Sequence, residues 1–130
     1  MHFLHRPHLA LLVARAWFGG TMAFAHGVPK FVKLTSGDFG FPDPLGVGAP
    51  ASLGLAVFGE LVCGLLIASG LFTRLATVPA AITMGVAAFI THGADPFQKK
   101  ELALAYLFAY VVIAVAGPGK YSLDALRGRS

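Results

Sequence analysis

Four apolar stretches of near-bilayer length, separated by polar or Gly/Pro-rich breaks, constrain this chain more than any other feature. A spanning helix needs roughly 20 mainly apolar residues, because the hydrocarbon core is about 30 Å thick and offers no partner for an unpaired backbone group. The stretches cover about 9–28, 51–72, 75–92 and 101–117. The first ends near Pro29, and the second lies between the turn-rich 37–50 segment and Thr73-Arg74. In the third, Pro79 is close enough to the start for its missing N–H to do little harm. The fourth is shortest, with an apolar run over 102–116, and crosses if Lys99 and Lys100 snorkel at one end while Gly117-Pro118-Gly119 marks the other interface. The expected fold is therefore all-α: one domain over 1–130, an integral membrane bundle of four antiparallel transmembrane helices.

Composition agrees with the bilayer as solvent. Of the 130 residues 56% are apolar and only 12% charged, which tells against disorder. Cys63 is the lone cysteine, so neither a disulfide scaffold nor CxxC thiol chemistry is available within the chain. The net charge of +4 is scattered, without the clustered basic face of a nucleic-acid binder. Phosphate-binding glycine loops, HExxH and nucleophile-elbow patterns are absent. His2, His5 and His8 read as interfacial solvation at a chain end rather than as a metal site.

Four spans put both termini on one side. Arg6, Arg74, Lys120, Arg127 and Arg129 then share that side, and Lys30, Lys33, Lys99 and Lys100 the other. The small Lys/Arg excess favours cytoplasmic termini and an inner (plasma) membrane location. Ala23-Phe24-Ala25 has the form of a signal-peptidase site, but Arg15 interrupts the apolar run that a signal peptide requires. Gly19, Gly20, Gly59, Gly64 and Gly85 are expected to let helices approach closely.

Ionisable residues inside the spans carry the functional information, since a charge at a helix centre costs about 2.5–3.5 kcal/mol even on lenient scales. Arg15 and His26 are eleven positions apart, near three full turns, which places them on one helical face with Lys30 a turn further on and Thr21 pointing away. By a rise of about 1.5 Å per residue, Arg15 lies roughly 9 Å and Glu60 roughly 18 Å from the terminal side, within reach of one another as a buried pair. That pair has a purely structural reading, holding two helices in register. Toward the opposite side, His26 and His92 reach similar depths, joined by Lys30 and Glu101. The cluster Arg15, His26, Lys30, Glu60, His92 and Glu101 admits three readings: haem or metal ligation by the two histidines, proton delivery to a quinone headgroup through His26, Glu60 and His92, or a solvated salt-bridged rim. Cys63, one turn from Glu60, reads as packing.

A family resemblance rests on the order of short motifs. Arg15, His26-Gly27 with Lys30, Asp43-Pro44-Leu45-Gly46, Glu60 and Gly70-Leu71-Phe72-Thr73-Arg74 come first. Next come His92-Gly93 with Asp95-Pro96-Phe97, Lys100-Glu101, Tyr106 and the closing Gly117-Pro118-Gly119-Lys120-Tyr121-Ser122-Leu123-Asp124. Together, over nearly the whole chain, they resemble the DoxX family of small membrane proteins. The resemblance implies a four-helix membrane bundle with cytoplasmic termini. It also implies an association with oxidoreductases, including a subunit of a thiosulfate:quinone oxidoreductase, and with membrane complexes that handle oxidative or thiol stress.

Two function classes are consistent with these features: the membrane subunit of a quinone-linked oxidoreductase, or a non-catalytic anchor or assembly factor for a soluble redox partner. Both imply the lipid bilayer and a protein partner or homo-oligomer, and no nucleic acid. Small-solute transport by an oligomer ranks third, since intramembrane charges also mark pathways.

Overall fold

The computed structural model describes residues 6–128, so His2, His5 and Arg129 lie outside the described residues. Among those described, every regular element is helical: α1 (Pro7–Ser36), α2 (Ala49–Ser69), α3 (Thr73–Thr91), α4 (Phe97–Ala116) and the short α5 (Leu123–Leu126). Helices α1, α2 and α3 are each long and apolar enough to cross a bilayer. Helix α4 has the length, 20 residues, but carries Lys99, Lys100 and Glu101 in its first turns.

The packing is antiparallel throughout. Lys30 near the end of α1 meets Glu60 in the first half of α2, while Arg15 near the start of α1 meets Ile67 and Ala68 near the end of α2. Likewise Arg74 at the start of α3 donates to the Ala114 carbonyl near the end of α4. The exposure pattern is that of a protein dissolved in lipid. Trp17, Phe24, Ile82, Phe89, Phe108 and Val115 point outward, whereas Arg15 (0% exposed), Glu60 (4%) and Thr77 (1%) are inside. Met22, Ile67, Met84, Tyr106, Tyr110 and Ile113 belong to the central cluster between the helices.

The first helix does not stop at Pro29, as hydropathy suggested, but runs on to Ser36. Pro29 is the second residue of the last α-helical segment (Val28–Ser36), which directly follows a π-helical stretch over Met22–Gly27, a place where its missing N–H costs little. Gly37, with φ 77°, ends the helix. Helix α2 ends earlier than the apolar stretch: Gly70 (φ 75°) and Phe72 (φ 49°) turn the chain directly into α3.

π-helical turns recur at Arg15–Gly19, Met22–Gly27, Phe58–Val62 and Ala87–Thr91. Because a π turn bonds each N–H five residues back, it adds about one residue per turn and rotates the rest of the helix about its axis. The consequence is visible along α1. Arg15, Gly19, Ala23 and Gly27, spaced by four, all face α2: a Cβ on Gly19 would sit 2.6 Å from the Ala68 nitrogen and the Gly64 oxygen, one on Gly64 would sit 3.1 Å from the Ala23 Cβ, and one on Gly27 would sit 2.7 Å from Leu61. Gly59 packs in the same way against Thr83 of α3. Gly20 and Gly85 differ from expectation, since a Cβ on either meets nothing within 4 Å.

Candidate functional site

The polar residues fall into two groups at opposite ends of the bundle. At the end where α1 begins, the Arg15 guanidinium donates to the Ile67 carbonyl at 3.4 Å, to the Ala68 carbonyl at 3.2 Å and to the Tyr121 carbonyl at 2.5 Å. The first two are carbonyls of the last turn of α2, where Ile67 also accepts from the Gly70 N–H at 3.1 Å, so a cation there caps the helix and meets the negative end of its dipole. Gly70 is required beside it, because a Cβ would fall 2.5 Å from Arg15 Nη1 and collide with the Ser122 Cβ.

Asp124 completes this end. Its carboxylate accepts from the Phe72 and Thr73 backbone N–H groups, both at 2.9 Å, and so caps the N-terminus of α3 from 51 residues away in the chain. Its own N–H donates to the Gly70 carbonyl at 2.8 Å. Partial burial pushes the Asp124 carboxyl up, but the Thr73 N–H and side chain, the Phe72 N–H and the charge of Arg127 outweigh it, and the group sits below the ordinary carboxylate range. The Gly70–Arg74 turn and the closing Gly117–Asp124 motif therefore form one hydrogen-bonded unit.

At the opposite end, Lys30 Nζ meets Glu60 Oε1 at 2.5 Å, with the Glu60 side chain 5% and the Lys30 side chain 26% exposed. The expected Arg15–Glu60 pair is not made. Arg15 spends its donors on carbonyls near the far end of α2, and Lys30 reaches Glu60 because α1 continues past Pro29. His26 does not share the Arg15 face either, since the π turns between them rotate it one position off the α2-facing stripe. Its ring packs edge-on against Tyr106 of α4, with centroids 6.0 Å apart. Thr21, expected to point away, bonds the Tyr106 hydroxyl at 2.7 Å. Tyr110, one turn beyond Tyr106, is fully buried with a hydroxyl that has no hydrogen-bond partner, and it lies within electrostatic reach of Glu60 and Cys63. The sequence signal for these tyrosines was available, as an i, i+4 pair on one face of an apolar helix.

His26 and Lys30 open onto a cleft of about 350 Å³ between the end of α1 and the following loop, walled by Pro29, Lys33, Phe41 and Pro42. The Lys30 ammonium lies 6.0 Å from the Phe41 ring centroid. The loop is held in place by Asp43, which accepts from the Ser52 hydroxyl (2.7 Å) and from the N–H groups of Gly48 (2.8 Å) and Val47 (3.0 Å) at the start of α2. The Ser52 and Gly48 bonds, followed by that of Val47, hold the Asp43 carboxyl below its ordinary range.

His92 and Glu101 do not join this group. His92 Nδ1 pairs with Asp95 Oδ2 at 2.9 Å in the half-exposed α3–α4 turn, and Glu101 is exposed. The two imidazoles thus have separate partners, Tyr106 and Asp95, which does not favour joint haem ligation. Among the described residues, no three His, Cys, Asp or Glu side chains gather as a metal would need. Cys63 is buried in the core, as packing. Sequence reasoning missed Thr21, Tyr106 and Tyr110 as neighbours of the site, and Lys33 and Phe41 as walls of its cleft.

An antiparallel helical bundle with lipid-type apolar faces and a charged pair held between its helices defines an integral membrane protein. The chain belongs to the DoxX family, whose model matches residues 10–93. It is also 30% identical over 128 aligned positions to the "Uncharacterized membrane protein Rv3486" of Mycobacterium tuberculosis, an alignment covering 81% of this chain and 74% of the relative. No solved structure matches the chain.

Proposed function

We propose that this DoxX-family protein is the membrane subunit of a quinone-linked oxidoreductase and that the cleft beside His26 and Lys30 receives the quinone headgroup. In this reading α4 is the fourth span, its apolar part being 102–116 with Lys99 and Lys100 at the interface. The termini are cytoplasmic and the membrane is the plasma membrane: Arg15, whose guanidinium reaches the Tyr121 carbonyl, adds to the basic count on the terminal side. A soluble partner, or a second copy of the chain with such a partner, supplies the electrons.

The observation that carries the reading is the Lys30–Glu60 pair: a buried carboxylate held by an ammonium that also lines an open, apolar-walled cleft. Reduction of a quinone to a quinol takes two electrons and two protons. The electrons come from the partner's donor, and the protons must reach two carbonyl oxygens in a poorly solvated site. Lys30 can donate a hydrogen bond to one carbonyl oxygen and neutralise charge developing there, while Glu60 keeps the ammonium in place. The His26 imidazole, within the same cleft wall, has one ring nitrogen to donate a proton and one to accept it. Phe41 offers a ring face to the headgroup.

A non-catalytic anchor is the second reading, and Arg15 favours it, since its partners are carbonyls that it caps rather than a reacting group. Equilibrium binding of a short-tailed benzoquinone to the purified chain in lipid nanodiscs separates the two. Saturable binding weakened at least tenfold by Lys30→Met, in protein that still assembles, supports the quinone site. Binding that does not saturate supports the anchor.

A further inference from the structure

The interior of the bundle holds a polar group that the outer cleft leaves unused. Tyr110 of α4 is fully buried in the central cluster with Met22, Cys63, Ile67 and Met84, and its hydroxyl makes no hydrogen bond. A hydroxyl buried in that state carries a desolvation cost that a partner would remove.

Tyr106, one turn earlier, is already committed. Thr21 donates its single hydroxyl proton to the Trp17 carbonyl at 2.5 Å, so in the 2.7 Å contact between Thr21 and Tyr106 the tyrosine is the donor. Of the two tyrosines, Tyr110 is therefore the one with a proton still to offer. Tyr106, Glu60 and Cys63 lie within electrostatic reach of its hydroxyl, and among them the Glu60 carboxylate is the strongest acceptor.

Glu60 itself is turned toward Lys30, which it meets through Oε1. It lies in the π turn Phe58–Val62 of α2, a winding that recurs at functional sites, and the cluster beside it contains the unbranched, adaptable side chains of Met22 and Met84. Lys30 lines the outer cleft, where a ligand oxygen competes with Glu60 for the ammonium. We propose that Glu60 has two positions, one on Lys30 as in the structure and one on the Tyr110 hydroxyl, and that occupancy of the outer cleft selects between them. When a ligand takes the ammonium, the buried carboxylate needs another partner, and the Tyr110 O–H supplies a charge-assisted hydrogen bond. No proton changes owner: the carboxylate stays ionised and trades one donor for another. Tyr110 is thus a positioning residue, acting on the cleft through Glu60 and Lys30. Use of the exchange by a quinone rests on the reading above, whereas the two positions of Glu60 do not.

Unfolding of wild type, Tyr110→Phe, Lys30→Met and the double variant in one detergent tests the exchange without a ligand. With Lys30 in place, Tyr110→Phe removes a hydroxyl that has no partner and should change the folding constant by less than about twofold. In Lys30→Met the carboxylate sits on Tyr110, and the same substitution should lower that constant about tenfold or more, the scale of a hydrogen bond to a charged group. Tyr106→Phe, whose hydroxyl bonds Thr21 in either state, should cost the same in both backgrounds. In infrared spectra, the carboxylate band that disappears in Glu60→Gln should move on Tyr110→Phe only when Lys30 is replaced. If Lys30→Met does not assemble, acetylation of the assembled wild-type and Tyr110→Phe chains, with modification of Lys30 checked by peptide mass, removes the charge instead and should reveal the same difference. A Tyr110→Phe effect that is equal with and without the Lys30 charge, whether absent or large, overturns the proposal. Benzoquinone binding is read separately. Binding that does not saturate in wild type, with the Tyr110→Phe difference intact, defeats the quinone reading and leaves the two positions of Glu60 standing; saturable binding without that difference does the reverse.

Discussion

Lys30 and Glu60 meet at 2.5 Å across the α1–α2 interface, the glutamate nearly enclosed and the lysine still touching the outer cleft. That asymmetry predicts unequal variants. Lys30→Met leaves a carboxylate buried without its counter-ion and should destabilise the bundle by about 3 kcal/mol, the low end for a broken buried pair because Lys30 retains some solvent contact. Adding Glu60→Gln to Lys30→Met should recover part of the loss. Unfolding of wild type, the two single variants and the double variant in the same detergent measures the coupling, and strict additivity would mean that the pair does not interact.

Arg15 is predicted to be structural. Arg15→Ala removes three charge-assisted bonds to carbonyls and should cost at least ~3 kcal/mol, while the fraction that still folds binds a quinone analogue as tightly as wild type. A loss of affinity without a loss of stability would reassign Arg15 to the site.

Close approach of α1 to α2, and of α2 to α3, makes two glycines irreplaceable and leaves two others free. Gly19→Ala and Gly59→Ala should each destabilise by about 1–3 kcal/mol, through contact with the Gly64 carbonyl and the Thr83 side chain. Gly20→Ala and Gly85→Ala, where a Cβ meets nothing within 4 Å, should be neutral or up to about 1 kcal/mol stabilising. Thermal melting of the four variants side by side checks the helix spacing.

Acid should loosen both loop ends. The Asp43 and Asp124 carboxyls titrate below their ordinary range, so the stability they contribute is fully present above about pH 4 and is lost as pH falls through their folded values. Asp124→Asn should lower stability at neutral pH by about 1 kcal/mol, the scale of a lost helix cap, and flatten the melting profile below pH 4. A wild-type profile that stays flat down to pH 2 would contradict these roles.

Much of the architecture was legible in the sequence because hydropathy and helix length are additive properties of a stretch. The spacing of Gly19 and Gly64, the packing role of Cys63 and the inward burial of Arg15 and Glu60 are all set at that level. The remainder depends on where one helix stops and how it is wound. Pro29 reads as a terminator unless a π turn precedes it, and nothing in Met22–Gly27 announces that turn. Once α1 continues, Lys30 replaces Arg15 as the partner of Glu60, and the three-turn argument for Arg15 and His26 fails because it assumes 3.6 residues throughout. His92 departs from expectation for a related reason. Its position just past the end of α3 agrees with the rise per residue, but the turn there supplies Asp95 as a local partner.

The most direct test of the quinone site is photo-crosslinking with an azido-quinone in nanodiscs, with peptide mapping of the labelled chain. The account predicts saturable labelling confined to the cleft wall, between Ala25 and Pro42, competed by unlabelled quinone and suppressed by Lys30→Met. Labelling spread over the lipid-facing residues, or unchanged in that variant, would contradict it.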